Sequence, residues 1–148
     1  MSFPSYKLVD IVVSRHISAP PGNVFDAWLD PACPASLWEG AQQLVLDVTE
    51  GALFYWVVEY DGHAWQHYGR FHILDRTGGR IEHTWMSAGT RGLESCVRIT
   101  LMPSATGGTD FRLVHAGLPD DELGNLARYG WTRIADEIAA HVEALVAS

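Results

Sequence analysis

The stretch Leu118–Val146, LPDDELGNLARYGWTRIADEIAAHVEALV, does most to limit what this chain can fold into. Ala127, Trp131, Ile134, Ile138, Val142 and Leu145 recur at three- and four-residue steps, which places them on one face of a helix. Arg128, Thr132, Arg133, Asp136, Glu137 and Glu143 fall largely on the other side. Pro119 suits a first-turn position, where its missing N–H would be unpaired anyway, and Asp120, Asp121 and Glu122 complement the dipole at that end. A long amphipathic helix of this kind needs a surface to lie on. Gly130 interrupts it, and a glycine inside a helix costs roughly 1 kcal/mol against alanine. It reads either as a tolerated defect or local break, or as a point where the backbone approaches a sheet closely while the Trp131 indole turns into the remaining space.

The preceding residues read as that surface. Residues 1–6 carry no pattern and are expected to trail over the outside. Leu8–Ser18 is rich in β-branched residues, with Ile11, Val13 and Ile17 on one face, and predicts a strand. Pro20 and Pro21 end it and open a helix over Asn23–Leu29, which Asp30-Pro31 stops. A second short helix is predicted over Ala32–Trp38, closed by Gly40. From Gln43 to Gly117 the apolar period becomes two, with strands predicted over Leu44–Thr49, Ala52–Tyr60, Ala64–Asp75, Gly79–Ser87, Leu93–Met102 and Thr109–Ala116. Glu50-Gly51, Asp61-Gly62, Gly78-Gly79, Gly89–Gly92 and Gly107-Gly108 lie between them, short glycine-bearing turns of the kind that joins antiparallel neighbours. Twisted strands curve such a meander. The terminal helix would cover its concave face, leaving an apolar space for a ligand between helix and sheet.

Composition narrows the partners. The 148 residues fit a single domain over 1–148, and a chain of this length buries about 68–70% of its unfolded surface without needing a metal or disulfide. With a net charge of -8 and no basic run, the chain argues against nucleic acid or an anionic membrane as partner. Cys33 and Cys96 lack metal or redox spacing and read as reduced thiols. No apolar run reaches the ~18 residues of a membrane span, and Asp10 interrupts the apolar Leu8–Val13, so a cytoplasmic setting is expected.

Several stretches carry a family likeness: ISAPPGNVFDAW over Ile17–Trp28, HYGRFHIL over His67–Leu74, RIEHTW over Arg80–Trp85, ESCVRITL and then GGTDFRLVHAGLPDDE, and the Gly130-Trp131 pair. In this order the chain resembles the START-like (SRPBCC) helix-grip superfamily, and within it the family named after the activator of the heat-shock-protein-90 ATPase. The resemblance runs from about Val9 to Leu145. It implies an α+β helix-grip fold, birch-pollen-allergen-like, with a curved antiparallel sheet wrapped around a long C-terminal helix and two short helices after the first strand. The superfamily holds lipid carriers, hormone receptors, polyketide cyclases and co-chaperone domains, so fold alone does not assign chemistry.

Alternation along the strands selects candidate ligand contacts. Ile81, His83 and Trp85 share a face, as do Ser95, Val97, Ile99 and Leu101, and as do Phe111, Leu113 and His115. The expected lining is therefore His83, Trp85, Val97, Ile99, Phe111 and His115 from the sheet, with Trp131, Ile134 and Ile138 from the helix. An imidazole can exchange a proton or donate to a carbonyl near pH 7. Each of the two histidines also reads as a core residue satisfied by a neighbouring backbone or hydroxyl group. His63 and His67 fall on one side of their strand and His72 on the other, so no metal site is expected. On Ala52–Tyr60 both faces are apolar, which leaves the inward side, and the role of Glu59, undecided. No nucleophile elbow, phosphate-cradling loop or dinucleotide fingerprint occurs, and no cofactor is expected.

The expectation is a protein that binds a small, mostly apolar molecule (lipid, aromatic or polyketide-like) between the terminal helix and the sheet. An enzyme of cyclase or dehydratase type using the same cavity, and a co-chaperone-like interaction module, are the alternatives. Exposed members of the six tryptophans could equally mark a homodimer interface.

Overall fold

The computed structural model describes residues 7–148; the segment expected to trail over the surface lies outside them. Strand β1, Leu8–Ile17, leads into helix α1, Pro21–Leu29. Then come β2 (Gln43–Val45), β3 (Leu53–Tyr60), β4 (His63–Asp75), β5 (Arg80–Ser87), β6 (Ser95–Pro103) and β7 (Thr109–Pro119). Helix α2, Glu122–Ala147, closes the chain. The strands form one seven-stranded antiparallel sheet in the order β1-β7-β6-β5-β4-β3-β2. All neighbours are consecutive in sequence except β1, which lies beside β7 and also packs against α2.

Local chemistry accounts for the turns. Asp61 and Gly62 both take positive φ, 53° and 76°, the left-handed pair that a two-residue hairpin between right-twisted strands requires. Pro21 opens α1 at its first turn, and Val24, Phe25, Trp28 and Leu29 form its buried side. No second helix follows. Ala32–Gly40 is a chain of tight turns, in which the amides of Cys33, Ser36 and Glu39 donate three residues back, to Asp30, Cys33 and Ser36. A proline disfavours helical backbone at the residue before it, so Pro31 and Pro34 oppose a helix at Asp30 and Cys33. The segment still packs, since Leu37 and Trp38 are buried.

Pro119 belongs to the sheet rather than to α2: it pairs with Leu8 at the end of β7. The helix starts three residues later because the Asp121 carboxylate accepts from the Leu123 and Gly124 amides at 3.0 and 3.2 Å. Just upstream, a bulge in β7 places Ala116 and Gly117 opposite Asp10, with Gly117 at φ 83°. The extra residue reverses the alternation, so His115 and Leu118 both point inward and are 1% exposed. A second irregularity sits at His72, between the pairs Phe71–His83 and Ile73–Glu82. Beyond it, Leu74 opposite Ile81 takes over the inward side from Phe71.

On α2 the buried side is Trp131, Ala135, Ile138, Ala139 and Val142, and burial of each large member contributes roughly 1.5–3 kcal/mol. Leu145 is 60% exposed. Ala127 and Ile134 are half-buried and belong to a neighbouring apolar stripe. Arg15 pairs with Asp136, and the Ser18 amide donates to Glu143 at 2.8 Å, tying the helix to the β1 side of the sheet. Trp28 of α1 stacks on Trp131 at 6.1 Å and fills the middle. The first half of α2 is left standing off the β3–β4 hairpin, and that gap is the site described next.

Candidate functional site

A pocket of about 650 Å³ opens between the N-terminal half of α2 and the ends of β3, β4 and β5. Its volume is in the range of sites that hold small organic molecules. Four indoles line it. Trp85 lies 5.0 Å from Trp131 at 59°, and Trp56 lies 6.0 Å from Trp85 at 60°. Trp65 adds a further ring, its indole N–H donating to the Tyr60 carbonyl at 3.3 Å. Leu123, Ala127, Gly130 and Ile134 line the helix side, and Leu37 reaches in from the turn segment. The rim is apolar and wet: Tyr60 and Tyr129 are each 72% exposed and Leu126 is 62% exposed.

Gly130 is one of the lining residues, and of its two readings the close approach of backbone to sheet does not occur. A Cβ at this position would meet nothing within 4 Å. The missing side chain keeps the pocket open instead. Of the two glycines in α2, the one with a tight neighbour is Gly124, where a Cβ would press on the Pro119 carbonyl.

Trp85, Trp131 and Ile134 of the expected lining border the pocket. His83, His115, Phe111, Val97, Ile99 and Ile138 lie behind them as fully buried core. His115 is the hub of that floor. The Trp131 indole, which can only donate, bonds its Nδ1 at 2.9 Å, so Nδ1 accepts and the neutral ring carries its proton on Nε2. Nε2–H then donates to Ser95 Oγ at 2.7 Å, and the Ser95 hydroxyl donates to the Trp85 carbonyl at 2.6 Å. Burial, with a smaller contribution from His83, pushes the His115 pKa down to about 3, which keeps the ring neutral. The relay thus ties the Trp131 indole to the backbone of Trp85, whose own indole lies beside it in the pocket wall.

His83 is enclosed differently. Its Nδ1–H donates to the Thr84 carbonyl at 2.9 Å, while Nε2 is buried without a partner among Phe54, Phe71 and Trp85. Burial lowers its pKa to about 4.

His67 is the histidine that reaches the pocket, though alternation pointed to it only in connection with metals. It stacks on Trp56 at 4.1 Å and 14°, and lies 5.0 Å from Trp85. Burial lowers its pKa to about 4, with the carbonyls of Trp56 and Trp65 opposing the shift. Its Nδ1 is buried without a hydrogen-bond partner, as is the Trp56 indole nitrogen. His72 faces the other way, 4.0 Å from Glu82, and no group of three or more His, Cys, Asp or Glu among the described residues could hold a metal ion.

The inward side of β3, undecidable from sequence, is Phe54 and Trp56. Tyr55 stacks against Tyr68 on the outer face at 4.9 Å, and Glu59 accepts from Gln42 at 3.0 Å in an exposed position. Glu59 is therefore not a base in this pocket. Both cysteines are free, Cys33 buried and Cys96 half-buried. Among the described residues no helix is long and apolar enough to cross a membrane.

A long helix held across a curved antiparallel sheet, with an open aromatic pocket under its first half, defines a helix-grip domain. The family model described as Activator of Hsp90 ATPase homolog 1-like protein matches residues 18–143, and the chain belongs to that family. Among solved structures, protein CV1439 from Chromobacterium violaceum is 29% identical over 90% of this chain and 96% of that chain, with a TM-score of 0.72. Mll3558 from Rhizobium loti is 20% identical over 93% and 99%, with a TM-score of 0.80. Ara h 8.0201, 15% identical over 92% and 98% with a TM-score of 0.74, shares the fold. Comparison with curated proteins found no match.

Proposed function

We propose that the protein binds a small, mostly apolar molecule in the pocket between α2 and the β3–β4 hairpin. The observation that carries this reading is the tryptophan-lined opening of about 650 Å³ with an apolar rim. Water in such a space is poorly hydrogen-bonded, and its replacement by apolar ligand surface is favourable by about 25 cal/mol per Å². Flat aromatic ligands gain further from offset or edge contacts with Trp56, Trp85 and Trp131. In this reading Trp85, Trp131 and Ile134 touch the ligand, and His83, His115, Phe111, Val97, Ile99 and Ile138 support them from behind.

Binding is favoured over cyclase or dehydratase chemistry by the one histidine at the pocket. Held neutral with a pKa of about 4, His67 is a weak base at neutral pH, whereas proton abstraction is most efficient when the base titrates near the working pH.

Titration with fatty acids, flavonoids and polyketide-like aromatics, followed by tryptophan fluorescence and thermal unfolding, tests the reading. A ligand at a hundred times its Kd stabilises by about 2.7 kcal/mol, a rise of roughly 5–10 °C for a domain this size. Trp131→Ala should weaken binding and reduce the fluorescence response, which Trp56, Trp65 and Trp85 still report. If no compound in these classes quenches fluorescence or raises Tm, the proposal fails.

A further inference from the structure

The pocket's charge runs against that of the chain. The protein carries 18 acidic and 10 basic residues, for a net charge of -8. Yet none of the described residues lining the pocket is Asp or Glu, and two carry basic nitrogen, His67 and Arg133. His67 is neutral near pH 7 because of its burial. The Arg133 guanidinium is thus the formal charge at the pocket. It stands on α2 one turn beyond Gly130 and beside Ile134, with its side chain 57% exposed. One nitrogen, Nη1, meets Glu137 at 3.1 Å, and Glu137 is not part of the lining. A guanidinium presents five N–H groups in a planar fork that matches a carboxylate.

An aromatic wall alone would also suit a cation, through the negative faces of the rings. Here a cation would enter beside Arg133, and the one carboxylate next to that guanidinium, Glu137, is already engaged with it and stands outside the lining. Charge complementarity decides for the opposite sign.

Resting on the binding role proposed above, we propose that the ligand is an anionic amphiphile. Its flat aromatic or acyl body lies against Trp56, Trp85 and Trp131, and its carboxylate sits at the rim beside Arg133. The exposed rim makes this a modest preference, on the order of fivefold at low salt and shrinking as salt screens it.

Three probes of one shape test it: naphthalene-1-acetic acid, its neutral amide, and (1-naphthylmethyl)trimethylammonium. Each is titrated by tryptophan fluorescence at low salt into the native protein and into Arg133→Gln. The half-exposed side chain makes that substitution compatible with folding, which thermal unfolding of the variant checks. The acid should bind about fivefold tighter than the amide, and the ratio should fall to about one in Arg133→Gln while the amide's Kd stays unchanged. Equal binding of acid and amide to the native protein, or tighter binding of the ammonium probe, overturns the anionic ligand and leaves the pocket's binding role standing. Failure of all three to bind overturns both.

Discussion

The Trp131 indole donates to Nδ1 of His115 at 2.9 Å, and this bond joins helix α2 to strand β7. It decides the tautomer of the histidine, which in turn decides that Ser95 accepts a hydrogen bond from His115 and donates one to the Trp85 carbonyl. The pocket wall is therefore held by polar contacts that no solvent reaches.

His115→Leu removes the acceptor of Trp131 and the donor to Ser95 together. A buried group left unpaired costs about 1–3 kcal/mol, so the variant should lose roughly 2–4 kcal/mol in urea unfolding at neutral pH. Loss of less than about 1 kcal/mol would show that the relay contributes little.

Acid should weaken the fold through three histidines. Burial lowers His67 and His83 to about 4 and His115 to about 3, from an ordinary 6.5. Between those values the unfolded chain takes up protons that the folded chain refuses. The stability they contribute is complete above pH ~6.5 and is lost as pH falls through the window, by up to about 1.4 kcal/mol per pH unit for each ring. The urea midpoint should drop between about pH 7 and pH 5. His83→Phe, placed among Phe54, Phe71 and Trp85, should flatten that dependence by one ring's share. A midpoint unchanged over this range contradicts the assignment of these rings as neutral.

Gly130→Ala should stabilise. The position is helical and open, so alanine gains about 0.5–1 kcal/mol of helix propensity without a clash. Gly130→Phe should keep a cooperative thermal transition while its ring occupies the pocket and blocks fluorescent apolar probes. Probe affinity unaltered in Gly130→Phe would place the probes elsewhere.

Gly69→Ala should destabilise despite the small change. A Cβ there would run into the Phe54 ring and the Thr84 carbonyl, the second of which is backbone and cannot yield cheaply. Overpacking of this kind costs typically about 1–3 kcal/mol, read as a lower urea midpoint with an unchanged slope. Stability equal to the native protein's would mean that β3, β4 and β5 can separate to admit a methyl group.

Most of the fold was legible in the chain because period and punctuation are local. The two-residue alternation of β5, β6 and β7 placed His83, Trp85, Ile99, Phe111 and His115 inward, where they are buried. Asp61-Gly62 announced its hairpin by the left-handed backbone it tolerates. The helix predicted over Ala32–Trp38 failed because its apolar residues mimic helical spacing while Pro31 and Pro34 disfavour helical backbone at Asp30 and Cys33, and isolated turns form instead.

The amino-acid sequence by itself determined the element order, the amphipathic α2 and the inward parity of the later strands, since each follows from side chains near one another in the chain. The tertiary structure alone decided where the pocket lies. Phe54 and Trp56, rather than Tyr55, face inward because β3 pairs with β4 in one register, and both of its sides were apolar enough to be buried. His67, Gly130 and Arg133, more than sixty residues apart at the extremes, come together only at the gap between α2 and the hairpin. Such a gap is set by how whole elements pack, and packing at that distance leaves no periodic trace in the residues that line it.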